Sequence, residues 1–224
     1  MPVRPGPTGV GMTLETLLGI AANSSRTPDY KGIEIKAKRG IGRHAATRST
    51  LFSKAPSWKL SPIGSALNLL NKHGWLDADG RLQLYHTLHA DRVNTKNLLL
   101  EVDGARDWLK QVSVDPESSA TEHDVTWELA KLRTSLADKH RETFWVQAEC
   151  RGRGQDECFR YVEVHHTRKP MTLNFSSLVE AGVITVDYAM HLKNDRVRDH
   201  GYLFKIHPRN MGALFAPPEV HVLT

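Results

Sequence analysis

Between Gly32 and Lys38 apolar and charged side chains alternate without a break: Ile33, Ile35 and Ala37 share one face, and Glu34, Lys36 and Lys38 share the other. A period of two belongs to a strand with one buried face, not to a helix, whose repeat is 3.6 residues. Such a strand needs sheet neighbours, and the chain offers several. Thr143 to Glu149 and Cys158 to His165 alternate around a Gly-containing turn, which predicts paired strands central to the main sheet. Val183 to Met190 and Gly201 to Ile206 are strand-like, with a basic loop from Lys193 to Arg198 between them. Arg81 to Ala90 and Leu98 to Val102, with an Asp103-Gly104 turn before Ala105 to Lys110, predict a small antiparallel sheet in the middle of the chain.

Helical spacing appears in four places. Leu14, Leu17 and Leu18 predict a short helix over Thr13 to Ala22, closed by the polar segment leading to Pro28. Ser61 with Pro62 reads as the N-cap and first position of a second helix, with Leu67, Leu69 and Leu70 on its apolar side and Gly74 as its C-cap. Asp115 to His123 is the most linker-like stretch. After it Leu129, Leu132 and Leu136 predict the longest helix, over Val125 to Lys139, and a brief one follows at Ser176 to Ala181.

The chain of 224 residues has room for one large domain or two small lobes sharing a core, and its 40% hydrophobic and 25% charged residues are ordinary for a globular protein. No run approaches the roughly 18 apolar residues of a membrane span, and the N-terminus lacks a signal peptide's apolar stretch. A cytoplasmic protein with no membrane partner is therefore expected. The two cysteines, Cys150 and Cys158, flank the Gly-containing turn and are read as free thiols. A formal net charge of +5 and a pI near 9.2 fit an anionic partner. Lys31, Lys36, Lys38, Arg39, Arg43 and Arg48 form one basic cluster, and Lys193, Arg196, Arg198, Lys205 and Arg209 another. Two separated clusters could flank a nucleic-acid duplex.

The strand of alternating residues carries the chemistry. Residues two apart on a strand lie about 6.6 Å apart along it, so Glu34 and Lys36 can address neighbouring atoms of one phosphate, and Asp29 can reach the same spot from the preceding turn. Phosphodiester hydrolysis calls for a hard cation that neutralises phosphate charge and acidifies an attacking water, and Mg²⁺ takes carboxylate oxygens. Asp29 and Glu34 would supply them, with the Lys36 ammonium orienting the water. Taken alone, Asp-x4-Glu-x-Lys reads first as the solvated face of an amphipathic strand, since Asp, Glu and Lys are common there. His165-His166 at a strand end has no carboxylate or cysteine at zinc spacing and is read as structural or phosphate-facing.

Longer blocks accompany the motif: Thr8-Gly-Val-Gly-Met-Thr-Leu-Glu-Thr-Leu-Leu-Gly-Ile, Asp-Tyr-Lys-Gly-Ile-Glu-Ile-Lys-Ala-Lys-Arg, Thr50-Leu-Phe-Ser-Lys-Ala-Pro, Ala148-Glu-Cys-Arg-Gly-Arg-Gly with Phe159-Arg-Tyr, and Val197-Arg-Asp-His-Gly-Tyr-Leu-Phe-Lys-Ile. Together they resemble the MvaI/BcnI family of type II restriction endonucleases, and more distantly the mismatch-repair nicking enzyme MutH. The front end departs from the pattern, being short enough that an N-terminal segment could be missing.

The resemblance implies an α/β (α+β) fold of the PD-(D/E)XK kind: a mixed sheet flanked by helices, with a second lobe closing a cleft around duplex DNA. It implies a catalytic lobe over about 1–60 plus 120–170 and a recognition lobe over about 61–119 plus 171–224. Asp29, Glu34 and the Ile35 carbonyl would bind Mg²⁺, Lys36 would assist the water, and Glu15 would be an additional carboxylate near the site. His44 and His200 would contact the central base pair, and Asp199 would lie with them at the DNA. Arg198 and Arg209 would suit bidentate contacts to guanine, and Arg43 and Arg48 phosphates. The implied enzyme is a monomer cutting double-stranded DNA at a CC-N-GG site, CCSGG or CCWGG, alongside a cognate DNA methyltransferase. The competing readings are a MutH-like nickase that needs an activating partner and a catalytically silent DNA-binding protein.

Overall fold

The computed structural model describes residues 3–6, 8–20, 28–40 and 47–223. The chain divides into two compact units: Met1–Arg48 with Leu136–Met171 and Pro208–Thr224, and Ser49–Ser135 with Thr172–His207.

The first unit is built on a mixed four-stranded sheet of β1 (Glu34–Arg39), β8 (Glu142–Arg151), β9 (Cys158–Arg168) and β12 (Glu219–Val222), in the order β1-β8-β9-β12. The alternating strand is thus an edge strand. It runs parallel to β8, with Glu34 opposite Thr143 and Arg39 opposite Ala148, while β8–β9 and β9–β12 are antiparallel. Ile35 on β1 and Val146 and Ala148 on β8 are buried, but Ile33 and Ala37 are only partly so and Glu34 is buried on the opposite face, so burial along β1 does not follow the alternation. Helix α1 (Gly9–Leu17) starts earlier than its leucines suggest. Val10 and Thr13 are buried, whereas Leu17 is 71% exposed: burial fades toward the helix's C-terminal end. The Tyr161 hydroxyl on β9 donates to the Val10 carbonyl at 2.8 Å. Gly9 is needed here, since a Cβ would sit 2.5 Å from the Arg4 carbonyl oxygen. Arg39 clamps the β8–β9 turn through two bonds to Glu157, at 2.6 and 2.7 Å. The buried His140 ring stacks on Trp145, and Phe215 packs edge-on against both. Both cysteine thiols are free and exposed.

The second unit holds two antiparallel sheets. One is ordered β2-β11-β10-β4-β3, from β2 (Ser49–Ser53), β3 (Trp75–Leu76), β4 (Leu82–Leu88), β10 (Ile184–Lys193) and β11 (Arg196–Ile206). The other contains β5 (Leu98–Asp103), β6 (Trp108–Val114) and β7 (Thr121–Glu128). Phe52, Phe175 and Phe204 cluster with Trp127 and Tyr202 in its core. Helix α4 (Phe175–Glu180) contributes Phe175 and Val179.

Four expectations change. The strand predicted over Arg81 to Ala90 does not share a small sheet with Leu98 to Val102: β4 pairs with β10, while β5 pairs with β6 in the other sheet. Helix α2 (Ala66–His73) is capped by Ser65, whose side chain accepts from the Asn68 amide. Ser61 is engaged elsewhere, donating to the Ser57 carbonyl and accepting from the Thr126 amide. The end of the predicted linker and the start of the predicted long helix together form β7, so α3 spans only Leu129–Lys139, beginning in the second unit and ending in the first. The predicted basic loop is the tip of the β10–β11 hairpin, turned at Asn194 and Asp195 with φ of 49° and 56°. Two positive φ values in succession are the signature of a type I′ turn, which Asn and Asp tolerate.

Candidate active site

Glu34, the first residue of β1, has no exposed surface. The charged face of the strand is therefore not a solvated face at this position. Its two oxygens are matched by separate ammonium groups: Lys36 Nζ lies 2.6 Å from Oε1 and Lys139 Nζ lies 2.7 Å from Oε2. Positive charge flanks both oxygens, but neither receives a well-aligned hydrogen bond. Burial pushes the Glu34 carboxyl above the usual carboxylate range, and the charges of Lys36 and Lys139 pull against it.

Asp29 sits in the turn before β1, where Tyr30 and Ile33 exchange backbone hydrogen bonds at 2.9 and 2.8 Å. Lys31 and Gly32 complete the tight turn with positive φ of 50° and 85°. The turn carries Asp29 back to the strand, and its Oδ2 accepts from the Ile35 amide at 3.2 Å. A strand residue projects its amide and carbonyl to the same lateral side. The Ile35 carbonyl thus faces the free edge of the sheet beside Asp29. Lys139 Nζ is 3.8 Å from Asp29 Oδ1, so one ammonium lies against both carboxylates. Glu15, half-buried on α1, is raised by its burial and then by the charge of Asp29, with Lys36 and Lys139 opposing. It is coupled to the pair electrostatically without closing a three-carboxylate cluster within 4.8 Å.

A buried carboxylate whose oxygens lack directed partners, beside a second carboxylate and an edge-facing carbonyl, fits a hard divalent cation. Lys36 and Lys139 add fixed positive charge at the same spot. This arrangement can hold an anionic phosphate and a cation together, which is what phosphodiester hydrolysis needs.

Sequence reading missed Lys139. It is the last residue of α3, far along the chain from Glu34, and a basic residue at a helix C-terminus is ordinary on grounds of the helix dipole alone. No local pattern marks it.

The DNA-contact candidates divide between the units. Arg198, Asp199 and His200 lie on β11 in the second unit, and Arg48 and Arg209 belong to the first. Arg43 and His44 fall outside the described residues. At the hairpin Arg198 pairs opposite His191, whose ring lies 5.4 Å from that of His200. His191 Nδ1 is 3.1 Å from the Tyr85 hydroxyl on β4. Burial lowers the His191 pKa, and Arg81, His200, Lys193 and Arg198 lower it further, which describes a hairpin end rich in positive charge. A β-bulge between the Tyr188 and Met190 pairings places His200 and Gly201 opposite a single residue, and Gly201 takes φ of 121° there. Asp199 is exposed and accepts from the Gly201 amide, and partial desolvation raises its pKa.

Residues 3–215 match the model of the MvaI/BcnI restriction endonuclease family. Among solved structures, the restriction endonuclease MvaI–cognate DNA substrate complex superposes with a TM-score of 0.84 at 24% identity, covering 100% of this chain and 91% of that one. Restriction endonuclease MvaI in the absence of DNA gives 0.61 at 22% identity, over 94% of this chain and 83% of that one. These likenesses establish the expected mixed α+β fold. Among curated proteins none matches.

Proposed function

The chain belongs to the MvaI/BcnI restriction endonuclease family, and from that membership we propose that it uses Mg²⁺ to cut duplex DNA at a CC-N-GG site, CCSGG or CCWGG. As a family member it is a type II site-specific deoxyribonuclease acting on DNA. The observation that carries the proposal is the buried Glu34 carboxylate set between two ammonium groups beside Asp29. Asp29, Glu34 and the Ile35 carbonyl would hold the ion. When bound, it neutralises phosphate charge and lowers the pKa of the attacking water.

The remaining work falls to side chains. Lys36 stands on the same face of β1 as Glu34, placed to donate a hydrogen bond to the attacking water and to offset charge on the phosphate. Lys139 holds Glu34 and Asp29 against their mutual repulsion. Glu15 adds negative potential near Asp29. On the second unit, Arg198 and His200 are the side chains we assign to base edges: a guanidinium suits guanine O6 and N7, and an imidazole can donate or accept at the central pair. The first unit as the hydrolytic lobe and the second as the reading lobe follows from this division. One catalytic set per chain fits a monomer that cuts the two strands in turn, in the cytoplasm, with a cognate methyltransferase protecting the host sites.

Incubating the purified chain with unmethylated phage DNA, with Mg²⁺ or with EDTA, and sequencing the fragment ends tests this. Discrete Mg²⁺-dependent fragments sharing a CC-N-GG site are expected. Nicks alone would transfer the assignment to a MutH-like nickase, and intact DNA would overturn it.

A further inference from the structure

The edge of the first unit's sheet opposite β1 carries a second group of ligating side chains. Glu219 on β12 is paired directly across from His166 on β9, and directly opposed residues of an antiparallel pair share a face. His221, two residues along β12, shares that face as well. One ligand atom from each of His166, Glu219 and His221 lies within 4.8 Å of the others. The carboxylate of Glu219 is 3.8 Å from His166 Nδ1 and 3.4 Å from His221 Nε2. Ligands around a tetrahedral Zn²⁺, bonded at about 2.0–2.1 Å, stand roughly 3.4 Å apart. Side-chain rotation about a backbone already in register is enough to bring the three ligand atoms from within 4.8 Å of one another to that spacing.

His166 is the anchoring member. Its ring is buried edge-on against Phe144, with centroids 4.6 Å apart, and its Nε2 is 2.7 Å from Glu142 Oε1 on β8. A carboxylate on one ring nitrogen fixes the tautomer that leaves the other nitrogen's lone pair free. That other nitrogen, Nδ1, is beyond hydrogen-bond reach of Glu219 and faces β12. Arg168 braces both carboxylates, 3.3 Å from Glu219 and 3.4 Å from Glu142. A buried imidazole with its far side held by a carboxylate, aimed at a second imidazole and a carboxylate, is the usual support of a metal-binding histidine. The sequence showed no such set, because the partners of His166 come from the C-terminal strand.

We propose that His166, Glu219 and His221 form a transition-metal site, distinct from the hydrolytic centre, that takes Zn²⁺ or an ion of similar softness. Two imidazoles and one carboxylate favour such an ion over Mg²⁺, which prefers oxygen ligands. β8 and β9 separate β12 from β1 in the sheet, so the two centres are independent. Bound metal would fasten β12, a four-residue edge strand whose side chains are all exposed, to β9.

Equilibrium dialysis of the full chain against Zn²⁺, with millimolar Mg²⁺ present, tests the assignment. We expect one Zn²⁺ per chain retained against Mg²⁺. His221→Ala and Glu219→Gln should each weaken retention by roughly tenfold or more while Mg²⁺-dependent DNA cutting is unchanged, since both residues are exposed. Glu34→Gln should leave the zinc stoichiometry at one. No retained zinc in the unaltered chain, equal retention in His221→Ala and Glu219→Gln, or loss of zinc in Glu34→Gln would overturn it.

Discussion

Lys139 Nζ lies 2.7 Å from Glu34 Oε2, joining the last residue of a helix to the first residue of the strand that carries the acidic motif. The ammonium also sits 3.8 Å from Asp29. Two carboxylates held close repel each other, and a buried one is also desolvated; a cation between them offsets both costs. Lys139→Ala should therefore lower the single-turnover cleavage rate by about 10²-fold, the scale on which preorganised charges act, while DNA binding stays within twofold. A filter-binding assay beside quench-flow cleavage checks it. Unchanged cleavage would make Lys139 a structural ion pair only.

Lys36 faces the same carboxylate from the strand itself, 2.6 Å from Glu34 Oε1. It is partly exposed and supports no core packing, so Lys36→Ala should fold normally, bind DNA nearly as well, and fail to cut. Retained cutting at the native site would place the catalytic ammonium elsewhere.

The legible part of this site was the part written in consecutive residues. The alternation from Ile33 to Lys38 encodes both the strand and the side on which Glu34 and Lys36 stand, and the turn before it returns Asp29 to the same place. What the alternation could not encode is that the polar face at Glu34 is buried, since α3 delivers Lys139 from a distant part of the chain. The fold was misread for related reasons. Val125 lies four residues before Leu129 and extends the helical stripe of Leu129, Leu132 and Leu136 backward. The buried Trp127 does not belong to that stripe; pairing with β6, which sets Leu109 opposite Trp127, makes the segment a strand. Ser61 looked like a helix cap before Pro62, but tertiary hydrogen bonds to Ser57 and Thr126 occupy its hydroxyl. In each case a long-range partner outweighed a local preference.

At the β10–β11 hairpin, Arg198 and His200 belong to a strand: a tight two-residue turn holds Arg198 in register opposite His191, and His200 sits at the bulge. The proposed base contacts can therefore be separated by substitution. Arg198→Ala should weaken binding to the cognate duplex by about 1–3 kcal/mol and relax preference at one guanine. His200→Ala should leave the outer base pairs as selective as before and reduce discrimination at the central pair. Competition binding with duplexes changed one pair at a time measures both. A uniform loss over all sequences would reassign Arg198 to phosphate contact.

Asp124 gives the second unit a pH-dependent support that the catalytic residues do not share. It is 2% exposed, and its carboxylate receives Lys72 at 2.7 Å, His73 at 2.9 Å and Gln111 at 2.8 Å. Burial alone would raise its pKa, but hydrogen bonds from His73, Lys72 and Gln111 outweigh burial and bring it down to about 2. Because the folded value is depressed below the unfolded value of about 3.9, the folded state favours the ionised form. That contribution, about 2.5 kcal/mol, is fully present above about pH 5 and is lost progressively as the pH falls through 4 toward 2. Urea midpoints should accordingly drop across that window. In Asp124→Asn the midpoint should already be lower at pH 7, because Lys72 loses its counter-charge and His73 its carboxylate partner, and its decline between pH 4 and 2 should be shallower than in the parent chain. Parallel pH profiles for the two proteins would remove Asp124 from the acid response.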